Sequence, residues 1–342
     1  MSETSKGMTV VATRQMGDGA ASAFVQALRD YKVILILFAI MLVLTFFLAP
    51  VFFATQNLTN VARQASITGV VAVGMTFVVL TSGIDLSVGS ILALVGIIFS
   101  ITVTTDAGVP GALAAALAVG TAVGIVNGIG VTFFGIQAFI MTLASMAISS
   151  GIALLISNGT PIHYTSESAL IAVLGNGNIG GIPGPVIVFA LVALIASLVL
   201  RYVPFGRFIY GIGGGLEAAR LSGVKTARVL IIVYAISGFC AAIAGIITTS
   251  RLFVGHPTAG ASIMLDSIAA VVIGGTSLMG GKGSIIGTVA GVLLLAMVAN
   301  LLNLLGVSPF NQQIAKGAII ILAVLFTSQG LWPRIVQQWN AL

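Results

Sequence analysis

RYVPFGRFIYGIGGGLEAARLSGVKTAR, residues 201–228, sets the terms on which the rest of the chain is read. It holds Arg201, Arg207, Glu217, Arg220, Lys225 and Arg228, in a 342-residue protein with only 14 Lys or Arg and 8 Asp or Glu. Almost everything around it is apolar. A segment this polar does not lie in hydrocarbon, so it is an exposed loop, and its excess of Arg and Lys places it on the cytoplasmic side of a membrane. Within it, Leu216-Glu217-Ala218-Ala219-Arg220-Leu221 consists of strong helix formers, preceded by Gly213, Gly214 and Gly215 and followed by Gly223. The expectation is a short helix on the membrane surface, with a flexible glycine entry and a glycine stop. A short, charged helix between membrane spans suits the docking of a soluble partner.

Composition supports the membrane reading. Hydrophobic residues make up 58% of the chain and charged ones 6%, with a mean hydropathy of +1.18. A soluble globular chain carries about a quarter charged residues. Apolar runs near helix-spanning length, with short polar breaks, predict an all-α integral membrane protein rather than a β-barrel, whose strands alternate at period two. The 42 glycines imply close helix packing or broken helices. The net charge of +6 reflects topology and not nucleic-acid binding, because no contiguous basic patch exists outside the loops assigned to the cytoplasm.

Catalytic signals are missing from the sequence. Cys240 is the sole cysteine, which excludes an intramolecular disulfide and a thiolate metal site. His163 and His256 fall in separate outer loops without carboxylates at ligand spacing, so no metal is expected. There is no phosphate-binding Gly-x-x-x-x-Gly-Lys-Ser/Thr loop and no nucleophile–base pair. Gly211-Ile212-Gly213-Gly214-Gly215 only superficially resembles a dinucleotide fingerprint, since no strand precedes it. The chain is expected to hydrolyse nothing on its own and to hold no cofactor. Transport powered by a nucleotide requires a partner.

Taken in order, residues 1–32 read as a disordered cytoplasmic N-terminus, 33–327 as the transmembrane domain and 328–342 as a cytoplasmic tail. Spans are expected from about Val33 to Pro50, Ala62 to Leu80, Leu86 to Thr105, Ala112 to Phe134, Ala138 to Ile156, Val186 to Leu200, Val229 to Thr249, Ser267 to Leu278, Ile285 to Leu305 and Phe310 to Phe326. Both termini then lie in the cytoplasm. Two outer segments stand out, Ser157–Pro185 and Arg251–Asp266. Asp106, Glu167 and Asp266 read as solvated loop or cap residues. The second and third spans, and the eighth and ninth, are the ones expected to be broken or re-entrant.

Those four spans carry an internal echo. Gly83-Ile84-Asp85-Leu86-Ser87-Val88-Gly89-Ser90 lies over Gly281-Lys282-Gly283-Ser284-Ile285-Ile286-Gly287-Thr288, matching Gly83 to Gly281 and Gly89 to Gly287. A two-fold repeat explains this, and corresponding helix breaks in transporters often approach the substrate path; for so short a match, chance is the alternative. Asp85 has two readings. It lines a polar route, pairing with Lys282 across the echo, or it caps the helix that follows. Lys282 in turn is a pathway cation or a topology charge. Ser82, Ser87, Thr276 and Ser277 either offer hydroxyls to a polyol or bond their own helix backbone.

Three blocks together carry a family resemblance. They are Val73-Gly74-Met75 through Leu80-Thr81-Ser82-Gly83-Ile84-Asp85-Leu86-Ser87-Val88-Gly89-Ser90, Gly213-Gly214 through Glu217-Ala218-Ala219-Arg220-Leu221-Ser222-Gly223-Val224, and Gly274-Gly275-Thr276-Ser277-Leu278 through Gly280-Gly281-Lys282-Gly283. In this order they resemble the membrane permeases of bacterial ATP-binding-cassette importers for monosaccharides, the ribose, xylose, arabinose and galactose group. The resemblance extends from about Val33 to Leu325. It implies a bacterial inner-membrane protein, a periplasmic sugar-binding protein, a cytoplasmic ATPase with two nucleotide-binding cassettes and a second permease chain. It also implies that Glu217, Ala218, Ala219, Arg220, Leu221, Ser222 and Gly223 form the coupling helix seated on the ATPase. One departure falls here: the family commonly has Asn after the two glycines, where this chain has Gly215 and then Leu216. The implied mechanism is alternating access, with sugar passing between two permease chains. A branched-chain amino-acid permease of the same architecture and an ion-coupled sugar transporter are the alternatives. The bound ligand of the partner protein separates the first, and the energy source separates the second.

Overall fold

The computed structural model describes residues 32–327 except Glu167. The expectations for the N-terminal segment, the C-terminal tail and Glu167 lie outside these residues. The described chain is built of helices: α1 Lys32–Leu48, a 3-10 turn at Pro50–Phe53, α2 Thr55–Leu80, α3 Val88–Thr102, α4 Gly108–Thr132 and α5 Ala138–Ser157. A surface segment follows, with strand β1 Ile162–His163, helix α6 Ala169–Gly175 and a hairpin of β2 Asn178–Ile179 and β3 Ile182–Pro183. Then come α7 Gly184–Tyr202, α8 Pro204–Gly214, α9 Leu216–Leu221, α10 Thr226–Leu252, strand β4 Val254–Gly255, α11 Ala261–Ile273, α12 Ile285–Leu304 and α13 Pro309–Thr327.

Six of these, α2, α4, α5, α7, α10 and α12, are long and apolar enough to cross a membrane. α3 and α11 are apolar but have 15 and 13 residues. At 1.5 Å per residue they reach only about 20 Å, against roughly 30 Å of hydrocarbon. The breaks therefore fall at the expected places, and it is α3 and α11 that are short.

Neighbours fix where the short helices sit. Along α10, which leaves the basic loop at Thr226, the α3 region contacts Ser237 through Asp85, Gly245 through Leu92 and Thr249 through Gly96. α3 therefore starts about halfway along α10 and runs away from the basic loop. Gly260, just before α11, packs on the backbone of Gly89. The two half-helices thus begin at one depth and point in opposite directions, α11 back toward the basic loop.

The main core cluster centres on α2 and α10, and Val70, Met75, Leu80, Val233 and Ile247 within it are fully buried. Close approach comes from small residues. Gly120, Gly124 and Gly128 recur every fourth position of α4 and face α10, where a methyl at Gly128 would lie 2.6 Å from Cα of Ile231. Helix association in lipid relies on such contact, because lipid tails are as apolar as leucine. Outside the core the surface is apolar: Phe134, Ile148, Leu155 and Leu194 are exposed, as befits helices bathed in lipid.

Candidate coupling site

The basic loop holds two helices rather than one. α9 covers Leu216–Leu221, the segment where propensity calls for a helix, and its end is a Schellman turn. Gly223, with φ of +83°, donates to the carbonyl of Arg220 at 3.0 Å, and Val224 donates to that of Ala219 at 3.1 Å. Glu217, Ala218, Arg220, Leu221, Ser222 and Gly223 are exposed, and only Ala219 is buried against the body. Leu221 is 82% exposed and Leu216 51%, so the helix presents apolar and charged groups together.

The second helix, α8, corrects the expectation of a flexible glycine entry. Pro204 opens it, and Ile209 and Ile212 bury one face. One of its glycines, Gly213, serves close contact with the breaks. Gly213 lies against the carbonyl oxygen of Leu80 and the amide of Gly281, so that a Cβ there would overlap both. Gly281 N–H donates to Leu80 O at 2.9 Å, Ser82 Oγ donates to Met279 O at 2.7 Å, and Tyr210 Oη donates to Gly283 O at 2.9 Å. The end of α2, just before the first stretch of the echo, therefore touches the start of the second, with α8 wedged against both. Deeper in, Thr76 and Thr288 join α2 to α12 through their hydroxyls at 2.7 Å.

Asp85 is fully buried in the first break. Its carboxylate accepts from the amide of Ser87 at 3.0 Å, from Ser87 Oγ, and from Ser237 Oγ at 2.7 Å, while Asn127 Nδ2 donates to Ser87 Oγ at 2.9 Å. This ties the start of α3 to α4 and α10. Lys282 is exposed, and the two do not pair: among the described residues the one ion pair is Lys316–Asp266 at 2.9 Å. Thr276 is fully buried with its hydroxyl unpartnered, and Ser277 Oγ accepts from the amide of Met279 at 3.2 Å. Asp85→Leu leaves three donors without an acceptor, each costing about 1–3 kcal/mol. A thermal unfolding midpoint well below wild type is expected for it, and a near-normal one for Asp85→Asn. Loss of uptake in a stable Asp85→Asn protein identifies a role for the charge itself.

On the opposite face the two outer segments join. β1 pairs with β4, Arg63 donates to Asn176 O at 2.7 Å and to Asn178 Oδ1 at 2.9 Å, and Asn176 Nδ2 donates to Arg251 O at 2.9 Å. Asp266, expected in a loop or cap, lies within α11 and bonds Lys316 of α13. That pair was legible only as two isolated charges, 50 residues apart.

Long helices that enclose two breaks, a surface helix packed on both breaks and an apolar exterior define the permease component of a membrane transport system. A family described as branched-chain amino acid transport system / permease component matches residues 57–324, and the chain belongs to it. Its relatives include the ribose import permease protein RbsC of Haemophilus influenzae, 43% identical over 87% of this chain and 91% of that one. The protein of the same name from Escherichia coli K12 is 47% identical over 81% and 87%, and the xylose transport system permease protein XylH of that strain 36% identical over 88% and 92%. No solved structure gave a match.

Proposed function

We propose that this chain is the membrane subunit of an ATP-driven importer for a monosaccharide of pentose or hexose size, ribose-like in its chemistry. A twin-cassette ATPase drives it, a periplasmic binding protein feeds it, and a second permease chain completes it. The observation that carries the reading is the packing of α8 on both helix breaks: Gly213 lies against the bonded pair Leu80 and Gly281, next to the exposed helix α9. A soluble motor moving α9 then moves both breaks at once. Glu217, Ala218, Ala219, Arg220, Leu221, Ser222 and Gly223 are the coupling residues. Asp85 and Ser87 act on the route by holding the start of α3, and Thr276, Ser277 and Lys282 belong to the second break. The joined outer segments are the landing surface for the binding protein, and the basic loop and both termini face the cytoplasm.

The sugar assignment draws on the ribose and xylose permeases among the relatives, which disfavours an amino-acid substrate. Purified from native membranes in mild detergent, the chain is expected to bring a twin-cassette ATPase and a binding protein that releases a pentose or hexose on denaturation. A released branched-chain amino acid overturns the substrate class. Uptake that ignores ATP and collapses with the ion gradient overturns the importer.

A further inference from the structure

Polar side chains recur at helical spacing on three helices and line one cavity. On α2 they are Asn57, Asn60 and Gln64; on α12, Asn300 and Asn303; on α13, Gln312 and Lys316. The cavity holds about 320 Å³, at the lower end of the range of small-molecule sites, roughly 300–1,000 Å³. It opens away from the basic loop, since Asn57 lies near the start of α2, Asn303 near the end of α12 and Gln312 in the first turn of α13.

Some of this lining is structural. Asn57 and Asn300 bond each other reciprocally at 2.9 and 3.0 Å and clamp α2 to α12, and Gln312 Nε2 donates to Val307 O at 2.9 Å. Lys316 and Asp266 cancel each other in the cavity wall. The carboxamides of Asn60, Gln64 and Asn303 remain, without a partner among the described residues. All three are exposed, so their amide groups are open to a ligand that enters the cavity. A carboxamide both donates and accepts, as a sugar hydroxyl does, and a cavity lined by a neutralised ion pair suits an uncharged ligand.

Resting on the importer reading above, we infer that this cleft is a weak polyol site, in which Asn60, Gln64 and Asn303 hold the sugar at the side of the permease remote from the ATPase. Cys240 is the sole cysteine and is buried, so single-cysteine labelling tests the inference directly. Gln64→Cys and Asn303→Cys are introduced into the full chain, assembled with its ATPase in proteoliposomes. A membrane-impermeant thiol reagent is then added with D-ribose, with L-leucine or with neither. Thr105→Cys, exposed in the turn that follows α3 and outside the cleft, is the control.

D-ribose is expected to slow labelling at both cleft positions by the factor 1 + [L]/Kd, about threefold at twice the dissociation constant. L-leucine and the control site are expected to show no slowing. Asn60→Leu with Asn303→Leu is expected to lower ribose uptake roughly tenfold while the ATPase stays bound. Labelling indifferent to ribose, in a chain that transports ribose, overturns the cleft and leaves the importer standing. If the wild-type assembly, supplied with its binding protein, imports no pentose or hexose, the sugar reading falls and this inference with it.

Discussion

Gly213→Val abolishes ATP-driven uptake while the chain still inserts and still binds its ATPase; that is the expected result, and it follows from one contact. Gly213 lies against the carbonyl of Leu80, where α2 ends, and the amide of Gly281, in the turn before α12. Those two groups bond each other at 2.9 Å, so any side chain at 213 pushes into a closed backbone junction. Overpacking of this kind costs about 1–3 kcal/mol. A shift of that size depopulates the packed arrangement roughly tenfold to a hundredfold. The matched control is Gly211→Ala in the same helix, where an added methyl finds no neighbour within 4 Å. Alanine is also the better helix former, so normal uptake is expected there. Uptake into reconstituted vesicles, with ATPase retention measured in parallel, checks both. Equal loss in the two variants means that the helix surface matters and the junction does not. Normal uptake in Gly213→Val removes α8 as the link between motor and breaks.

The sequence made α9 legible because its signals are local: six helix formers in a row and a glycine that can take positive φ. The breaks were legible for a similar reason, since Asp85 and the glycines around it interrupt apolar runs. α8 was not. Its four glycines, at 206, 211, 213 and 214, argue against a helix on propensity alone, and what holds it is burial of Ile209 and Ile212 against the body. Pro204 and the spacing of Phe205, Ile209 and Ile212 were the signal available, and the glycines masked it. The α2 extension was missed in the same way: Thr55, Gln56 and Asn57 look like a loop, yet they form its first turn. With that turn read as a loop, the stripe of Asn57, Asn60 and Gln64 had no face to belong to. Pairing of Asp266 with Lys316 was out of reach for a different reason, because only the fold brings α11 and α13 together.

Arg220→Glu tests the other end of the same chain of contacts, the proposed docking site of the motor. Arg220 is exposed in the last turn of α9 and makes no ion pair among the described residues, so its charge is available to a partner. Glu and Arg have similar helix propensity, which keeps the local fold. The Schellman turn at Gly223 uses only the backbone of residue 220 and survives the change. A carboxylate near the helix C-terminus costs only about 0.3–1 kcal/mol at an exposed site, too little to unfold it. Where the partner offers Arg220 a carboxylate, the reversal replaces attraction by repulsion, and like charges facing each other at an interface cost several kcal/mol. Membrane insertion is therefore expected at wild-type level, with ATPase recovery and ATP-driven uptake both lost. Arg220→Lys keeps the charge but not the bidentate geometry, and partial uptake is expected from it. Normal uptake by Arg220→Glu takes the coupling role away from α9. Loss of uptake with the ATPase still bound moves the role of Arg220 from docking to transmission, through Ala219 and the elbow at Gly215 into α8.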